Sequence, residues 1–328
     1  MKFDTVIGNP PYNYGSDIDF IYLAYKLCKY NVCMIVPAKW QGTDETAIGS
    51  SKLTYQEFRE TFIKYINKVV FYPNSKDVFD IALGGGISYF LLNKEIQEEH
   101  LKKTVCKLNK TIESSWEELK ISEISNVCLY NNNIEDIIQK CTGESLKIEQ
   151  FKHVLYVSDN KSKIPFSNDD KDIAIISNNK VIGYIKEEDL NCRLGLEKYK
   201  VLLNCMRGGA TDFDKSGKMQ GLNKMLVAKP YQVGGGNYYV VKYFNTEQEV
   251  KSFLSYMNTK LVRFLYFLGV YATGVRNATF KFIPEPIVID NNENRVKPEQ
   301  THIFTDREMY KTYGLTETQI NIVESLIK

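Results

Sequence analysis

Apolar and polar positions in the first 95 residues alternate between the two periods of regular structure. Thr5-Val6-Ile7-Gly8 is a short apolar run that stops at Asn9-Pro10-Pro11, and two prolines cannot continue a central strand. Ile18, Ile21, Tyr22, Tyr25 and Cys28 then recur at spacings of three and four, which predicts a helix over Asp17 to Tyr30 with Asp17 as N-cap. Val32 to Val36 predicts a second buried strand, ended by Pro37. Thr54 to Tyr65 predicts another amphipathic helix, opened by a capping box in which Glu57 follows Thr54 by three residues. Val69 to Tyr72 and Ile87 to Leu92 complete the set as strands. Strands separated by helical patterns predict an α/β fold with a parallel, doubly wound sheet.

The pattern changes twice more. Glu95, Glu98, Glu99, Lys102 and Lys103 predict a solvated, helical, charged connection over residues 96–145. Beyond residue 146, short β-rich runs (Val154 to Val157, Ile173 to Ile176, Val181 to Ile185) are punctuated by Asn, Asp and Gly turns. Glu247 to Leu268 then predicts one long helix whose Phe253, Leu254, Met257, Leu261, Phe264, Leu265 and Leu268 form a broad apolar face. The expected organisation is a first domain over residues 1–95, the connection, and a mixed α/β second domain over 146–328.

Composition narrows the function classes. At 328 residues, 43% hydrophobic and 25% charged, the chain is an ordinary globular one, neither disordered nor fibrous. Seven cysteines without CxxC spacing, beside three histidines, read as reduced thiols, with neither a disulfide framework nor a metal site. The first residues lack a secretory pattern, and the longest apolar stretch, Leu261 to Val275, is too short to span a bilayer and carries Arg263, so a cytoplasmic location is expected. The net charge of +2 hides an asymmetry: Lys198 to Phe282 holds thirteen Lys and Arg against four Asp and Glu. Aromatics are interleaved with these cations, a pattern suited to phosphate neutralisation and base stacking. Arg207, Lys229, Lys242, Arg276 and Lys281 are the candidate DNA contacts. The alternative is a buried set of aromatics under ordinary surface lysines, and charge alone leaves both open.

The sharpest local signal is Asn9-Pro10-Pro11-Tyr12 at the end of a strand. It suits one particular chemistry. The exocyclic amine of adenine is a poor nucleophile because its lone pair is delocalised into the ring. Acceptors at its two hydrogens, the Asn9 side chain and the Pro10 carbonyl, would hold the nitrogen nearer tetrahedral and localise that pair toward an electrophile. Prolines stiffen the loop before substrate arrives, and Tyr12 can stack on an extruded base.

The segment FDTVIGNPPY resembles the catalytic motif of the adenine-N6 DNA methyltransferases. The likeness continues through Met34 to Trp40, Phe58-Arg59, Tyr72-Pro73-Asn74, Asp77-Val78-Phe79 and Gly84 to Leu91, similar in order and spacing to methylases of type II restriction–modification systems. It extends more loosely through Tyr199 to Leu202, Tyr256 to Leu265 and Thr279 to Pro284, which are similar to their target-recognition part. The resemblance implies a partial doubly wound, Rossmann-like methyltransferase sheet followed by a mixed α/β target-recognition domain. It implies S-adenosylmethionine as cofactor and double-stranded DNA with a flipped adenine as substrate. It also implies Asn9, Pro10, Pro11 and Tyr12 as the catalytic loop, and Phe79 as the residue stacking on the far face of the base.

Family members of this order carry a glycine-turn strand for the cofactor before the catalytic loop, where this sequence has only Met1 to Gly8. Gly84-Gly85-Gly86 and Gly234-Gly235-Gly236 lead into β-type runs, whereas a cofactor turn should open onto a helix. The cofactor site is therefore expected to be incomplete, with a second polypeptide supplying the missing half. The alternatives are a catalytically inactive methylase-like DNA-binding protein and an anti-restriction protein on the same scaffold. A nuclease site of the PD…(D/E)xK kind needs an acidic residue before a Glu-x-Lys strand; the matches are read as Glu-x-x-Lys or helix-like, such as Glu149 to Lys152, so DNA cleavage is not expected.

Overall fold

The computed structural model of the chain describes residues 2–12, 15–41, 54–80, 83, 85–96, 100–105, 116–120, 132–141, 143, 145–146, 156–158, 160–206, 208–270, 275 and 277–328. The chain divides into two compact units, one of Met1–Ile137 with Asp212–Lys218 and Val270–Ala272, the other of Ile138–Thr211, Met219–Gly269 and Thr273–Lys328.

The first unit is built on a six-stranded sheet: β1 (Phe3–Gly8), β2 (Cys28–Pro37), β3 (Ile66–Tyr72), β4 (Ile87–Asn93), β5 (His100–Val105) and β6 (Trp116–Lys120), in the order β1-β2-β4-β3-β5-β6. α1 (Ser16–Leu27) joins β1 to β2, and α2 (Tyr55–Phe62) precedes β3. The fold is α/β, as expected, but the sheet is mixed. β1 is parallel to β2 and β3 to β5, while β4 runs antiparallel to both β2 and β3. The cause is local. The described part of the connection after β3 holds only the short turn Ser75–Asp77, and a parallel return would need a crossover of a dozen or more residues, usually helical. The stretch expected to be a charged helix after residue 95 contains β5 and β6, paired antiparallel.

One face of this sheet carries both helices. Ile18, Ile21 and Ala24 of α1 and Phe58 and Phe62 of α2 pack with Val32, Met34 and Val36 of β2, Val69 of β3 and Phe90 and Leu92 of β4. Trp40 sits in the same core and donates to Ser88 Oγ at 2.9 Å, while Arg59 Nη1 donates to the Trp40 carbonyl at 2.8 Å. The expected capping box forms: Thr54 and Glu57 exchange side-chain-to-backbone bonds at the start of α2. On the opposite face Val70, Tyr72 and Ile87 form a smaller cluster with Ile35 and Tyr89.

The second unit contains β7 (Ile173–Ser177), β8 (Lys180–Ile185), β9 (Tyr199–Asn204), β10 (Leu226–Ala228), β11 (Gln232–Gly234) and β12 (Tyr238–Phe244) as two three-stranded sheets, β11-β7-β8 and β10-β9-β12. A further hairpin joins β13 (Val288–Ile289) to β14 (Arg295–Val296). The single long helix expected over Glu247 to Leu268 is two, α3 (Glu247–Asn258) and α4 (Lys260–Leu268), because Thr259 is extended between them. Thr259 Oγ1 donates to the Tyr256 carbonyl, and Asp306 Oδ1 accepts the Lys260 amide at 2.6 Å, so the break is satisfied at both ends. Among the described residues no helix is long and apolar enough to cross a membrane.

Candidate active site

Strands β1, β2 and β3 all point the same way, so their carboxyl ends share one edge of the sheet. Clefts at this end are the usual ligand sites of open α/β sheets. Three segments meet there: Asn9 to Tyr12 after β1, the short turn Ala38–Gln41 after β2, and Pro73 to Phe79 after β3.

Asn9 is exposed and Pro10 buried, and Tyr12 lies half-buried against the cluster of Val70, Tyr72 and Ile87. The Tyr12 hydroxyl donates to Asn9 Oδ1 at 2.6 Å, and the Ile35 carbonyl stands 3.3 Å away as a second acceptor. Ser16 Oγ donates to the Pro11 carbonyl at 3.0 Å, tying the loop to the first turn of α1. Burial, then the charge of Asp17, pushes the Tyr12 phenol above its ordinary value of 10.0.

Phe79 packs against the same apolar cluster as Tyr12. Its position is fixed by backbone bonds: Phe79 N donates to the Ser75 carbonyl at 2.8 Å, and Ser75 Oγ accepts the Leu83 amide at 2.7 Å. Asn74 closes the turn by accepting from Lys76 N and donating to Asp77 Oδ1. Gly86 ends the segment with φ +78°, where a Cβ would lie 2.4 Å from the Tyr72 carbonyl oxygen, so glycine is required. Tyr12 and Phe79, from separate segments, thus pack on one apolar cluster, and Tyr12 is bonded to the Asn9 amide.

Asp17 departs from its expected role. Read as an N-cap, it lies instead inside the first turn of α1, whose N-cap is Gly15 at φ 78°. It is 1% exposed, and its Oδ2 has no hydrogen-bond partner among the described residues. Burial raises its carboxyl to about 6, opposed by the amides of Asp17 and Ile18 and by Lys39. An acidic residue one turn beyond a proline loop was the only signal, and it fitted a cap equally well.

β1 forms one edge of the sheet and is largely exposed, with Ile7 77% accessible. Beside it a groove of about 300 Å³ runs between Ile7, Phe20, Leu23, Leu27 and Met34 and reaches Asn9. Exposed apolar strand edges invite pairing with another strand.

The candidate DNA contacts fare unevenly. Arg207 and Arg276 lie outside the described residues. Lys229 is exposed. Lys242 pairs with Glu285 at 3.2 Å, both half-buried, and Lys281 lies 4.7 Å from the centre of the Phe282 ring. Other cations of the basic stretch are spent internally. Lys200 is 0% exposed and donates to the Leu196 and Lys198 carbonyls, Lys260 pairs with Glu324, and Arg263 holds the Gln220 and Lys328 carbonyls. The local charge excess therefore overstates the field offered to a polyanion.

No family model matches the chain. Over 142 residues it is 34% identical to an uncharacterized adenine-specific methylase of Mycoplasma pneumoniae, a match covering 38% of this chain and 32% of that protein. The chain thus matches about a third of the length of this relative. Among solved structures it shows slight likeness to three restriction–modification proteins. One is the type I methyltransferase subunit of Streptococcus thermophilus (14% identity, TM-score 0.28, 38% of this chain and 36% of that one). The others are the type IIG restriction endonuclease BpuSI (10%, 0.34, 94% and 49%) and the type IIL restriction–modification enzyme MmeI (7%, 0.37, 84% and 44%). The resemblance to adenine-specific methylases carried by the NPPY loop is thus met again in a relative that bears that name.

Proposed function

We propose that this chain carries the target-base side of an adenine-N6 DNA methyltransferase active site, serving a restriction–modification or related defence system. The observation that carries this reading is the placement of Asn9 and Tyr12 at the carboxyl end of β1, with Phe79 packed on the same apolar cluster. Asn9 Oδ1 and the Pro10 carbonyl accept the two amine hydrogens of an extruded adenine, and Tyr12 and Phe79 hold its ring by stacking. The loop is anchored in advance through Ser16 and the prolines, so little reorganisation is needed when the base arrives.

S-adenosylmethionine, when bound, would supply a methyl group as electrophile. Among the described residues neither glycine turn fits its site: Gly85 and Gly86 open onto β4, and Gly234 to Gly236 onto β12, so neither faces a helix N-terminus. We assign the cofactor turn to a second polypeptide segment docked along the open edge of β1 and the groove beside Ile7 and Leu23. The second unit is read as the target-recognition part.

The test is methylation in cells. The chain, expressed with its neighbouring genes, should place N6-methyladenine at one recurring sequence in host DNA, read by single-molecule sequencing. Asn9→Ala should abolish the mark. A chain that binds DNA yet leaves it unmethylated under these conditions is instead a methylase-like DNA-binding protein.

A further inference from the structure

Between β10 and β11 the chain reverses through Lys229-Pro230-Tyr231-Gln232, with Gln232 N donating to the Lys229 carbonyl at 3.0 Å. Tyr231, the third residue of this turn, has φ 58°. A proline-led turn with positive φ at its third position favours glycine or asparagine there, because a larger side chain crowds the backbone. The other non-glycine residues with positive φ among the described residues are Asn178, Asn179 and Glu293, so Tyr231 is the one aromatic held this way. Burial does not offset the strain, since Tyr231 is 58% exposed.

The turn is nonetheless fixed from behind. Tyr231 N donates to the Leu196 carbonyl at 2.8 Å, and Gln232 Oε1 accepts the Lys229 amide at 3.1 Å. Beneath lies Lys200, 0% exposed, whose ammonium donates to the Leu196 carbonyl at 3.0 Å and the Lys198 carbonyl at 2.7 Å. The same nitrogen stands 3.5 Å from the Lys229 carbonyl. Three ammonium hydrogens thus face three backbone acceptors, and the buried cation pins the turn to the segment before β9. Lys229 leaves this turn with its side chain exposed.

Strain that no packing offsets, on a backbone held by the bonds around it, is the pattern of sites that meet a partner. The partner's chemistry follows from the two exposed side chains. A ring offers a stacking face to a base, and an ammonium two residues away neutralises a phosphate. We propose that the turn of Lys229 to Gln232 is a DNA-contacting tip of the second unit, in which Tyr231 stacks on a base exposed where the bound duplex is opened and Lys229 neutralises a neighbouring phosphate. Because the turn is fixed beforehand, little ordering is left to be done on binding. The inference rests on the DNA reading above for its partner, and not on methyl transfer.

Filter binding of the full chain to a duplex with one unpaired adenine, at several salt concentrations, tests the tip beside urea unfolding of each variant. Tyr231→Asn places a residue suited to positive φ, so it should be at least as stable as the parent. It should nevertheless bind about fivefold or more weakly, with an unchanged slope of log affinity against log salt, because stacking releases no counterions. Tyr231→Phe keeps the ring and should bind like the parent. Tyr231→Asn with the parent's affinity overturns the inference, and so does a Tyr231→Asn chain less stable than the parent, since the ring would then serve the fold. A parent chain with no affinity for this duplex overturns it as well. A parent that binds the duplex but leaves cellular DNA unmethylated overturns the adenine-N6 reading alone, while weakened binding by Tyr231→Asn still supports the tip.

Discussion

Tyr12 and Asn9 are bonded to each other across the tip of the loop, the phenol hydroxyl 2.6 Å from the amide oxygen. The bond orders the loop and takes one of the two lone pairs of the oxygen proposed to receive the amine. Tyr12→Phe removes it while keeping the ring, and a neutral hydrogen bond is worth about 1 kcal/mol net, so methylation should change by no more than about fivefold. Tyr12→Ala removes the stacking surface, worth roughly 1–3 kcal/mol per base, and should weaken retention of an extruded base about fivefold or more. Fluorescence of 2-aminopurine at the target position reads the second effect and methylation kinetics the first.

Asp17 sets a pH dependence of stability. Its carboxyl is raised from 3.8 to about 6 in the folded protein, chiefly by burial. The folded state therefore binds the proton more tightly than the unfolded chain, and stability falls as pH rises from 3.8 toward 6, with the full cost present above that window. A shift of this size corresponds to about 3 kcal/mol. Asp17→Asn should raise the unfolding free energy at pH 8 by up to that amount and leave it unchanged below pH 3.8. Urea unfolding across pH measures both limbs; a variant destabilised at pH 8 would show the carboxylate to be satisfied in solution.

The strands β1 to β4 and the first two helices were legible because apolar spacing and proline stops report burial directly: Val32 to Val36, Val69 to Tyr72 and Ile87 to Leu92 all fall within strands. The direction of β4 was not, because an apolar run reads the same either way, and only the missing helix between Tyr72 and Ile87 hints at the reversal. The break at Thr259 escaped for a similar reason, since residues on both sides keep the helical period and the cap comes from the distant Asp306. Within the site, Asn9 to Tyr12 stood out through its prolines. Asp17 did not, because its significance lies in an unmet hydrogen bond, which no sequence pattern records.

Gly86 holds the segment that carries Phe79. A methyl group there would meet the Tyr72 carbonyl oxygen at 2.4 Å and the Pro73 backbone at 2.8 Å, on a backbone with φ +78°. Neither neighbour is a flexible side chain, so Gly86→Ala must shift backbone. We expect a loss of about 1–3 kcal/mol in guanidinium unfolding, with weaker base stacking than stability alone explains. Gly143→Ala, whose nearest new contact is 3.9 Å away, is the control and should be nearly silent.

Lys229 and Lys242 should differ as DNA contacts despite equal charge. Lys242 is held by Glu285 at 3.2 Å and lies 5.9 Å from the centre of the Phe253 ring, whereas the Lys229 side chain is exposed. A lysine that neutralises one phosphate contributes about 0.9 to the slope of log affinity against log salt. Lys229→Ala should reduce that slope by about one, and Lys242→Ala should leave it nearly unchanged while lowering thermal stability. Filter binding to one duplex at several salt concentrations compares them. Equal slopes for the two variants would show that the second unit does not use Lys229 on DNA.

The open edge of β1 makes the sharpest demand on the proposed assembly. Ile7 is 77% exposed and Leu23 half exposed, so neither contributes much to the core of this unit. Substitutions at such positions usually change stability by no more than about 0.5 kcal/mol. Ile7→Asp and Leu23→Glu should therefore leave the chain as stable as before and reduce its tendency to self-associate in sedimentation velocity, because a charge on an apolar edge disfavours strand pairing. In cells the same variants should lose N6-methyladenine, although Asn9, Pro10, Tyr12 and Phe79 are all intact. Full methylation by a stable Ile7→Asp chain would mean that nothing needs to dock on this edge, and the methyl donor's site would then have to be sought on the chain itself.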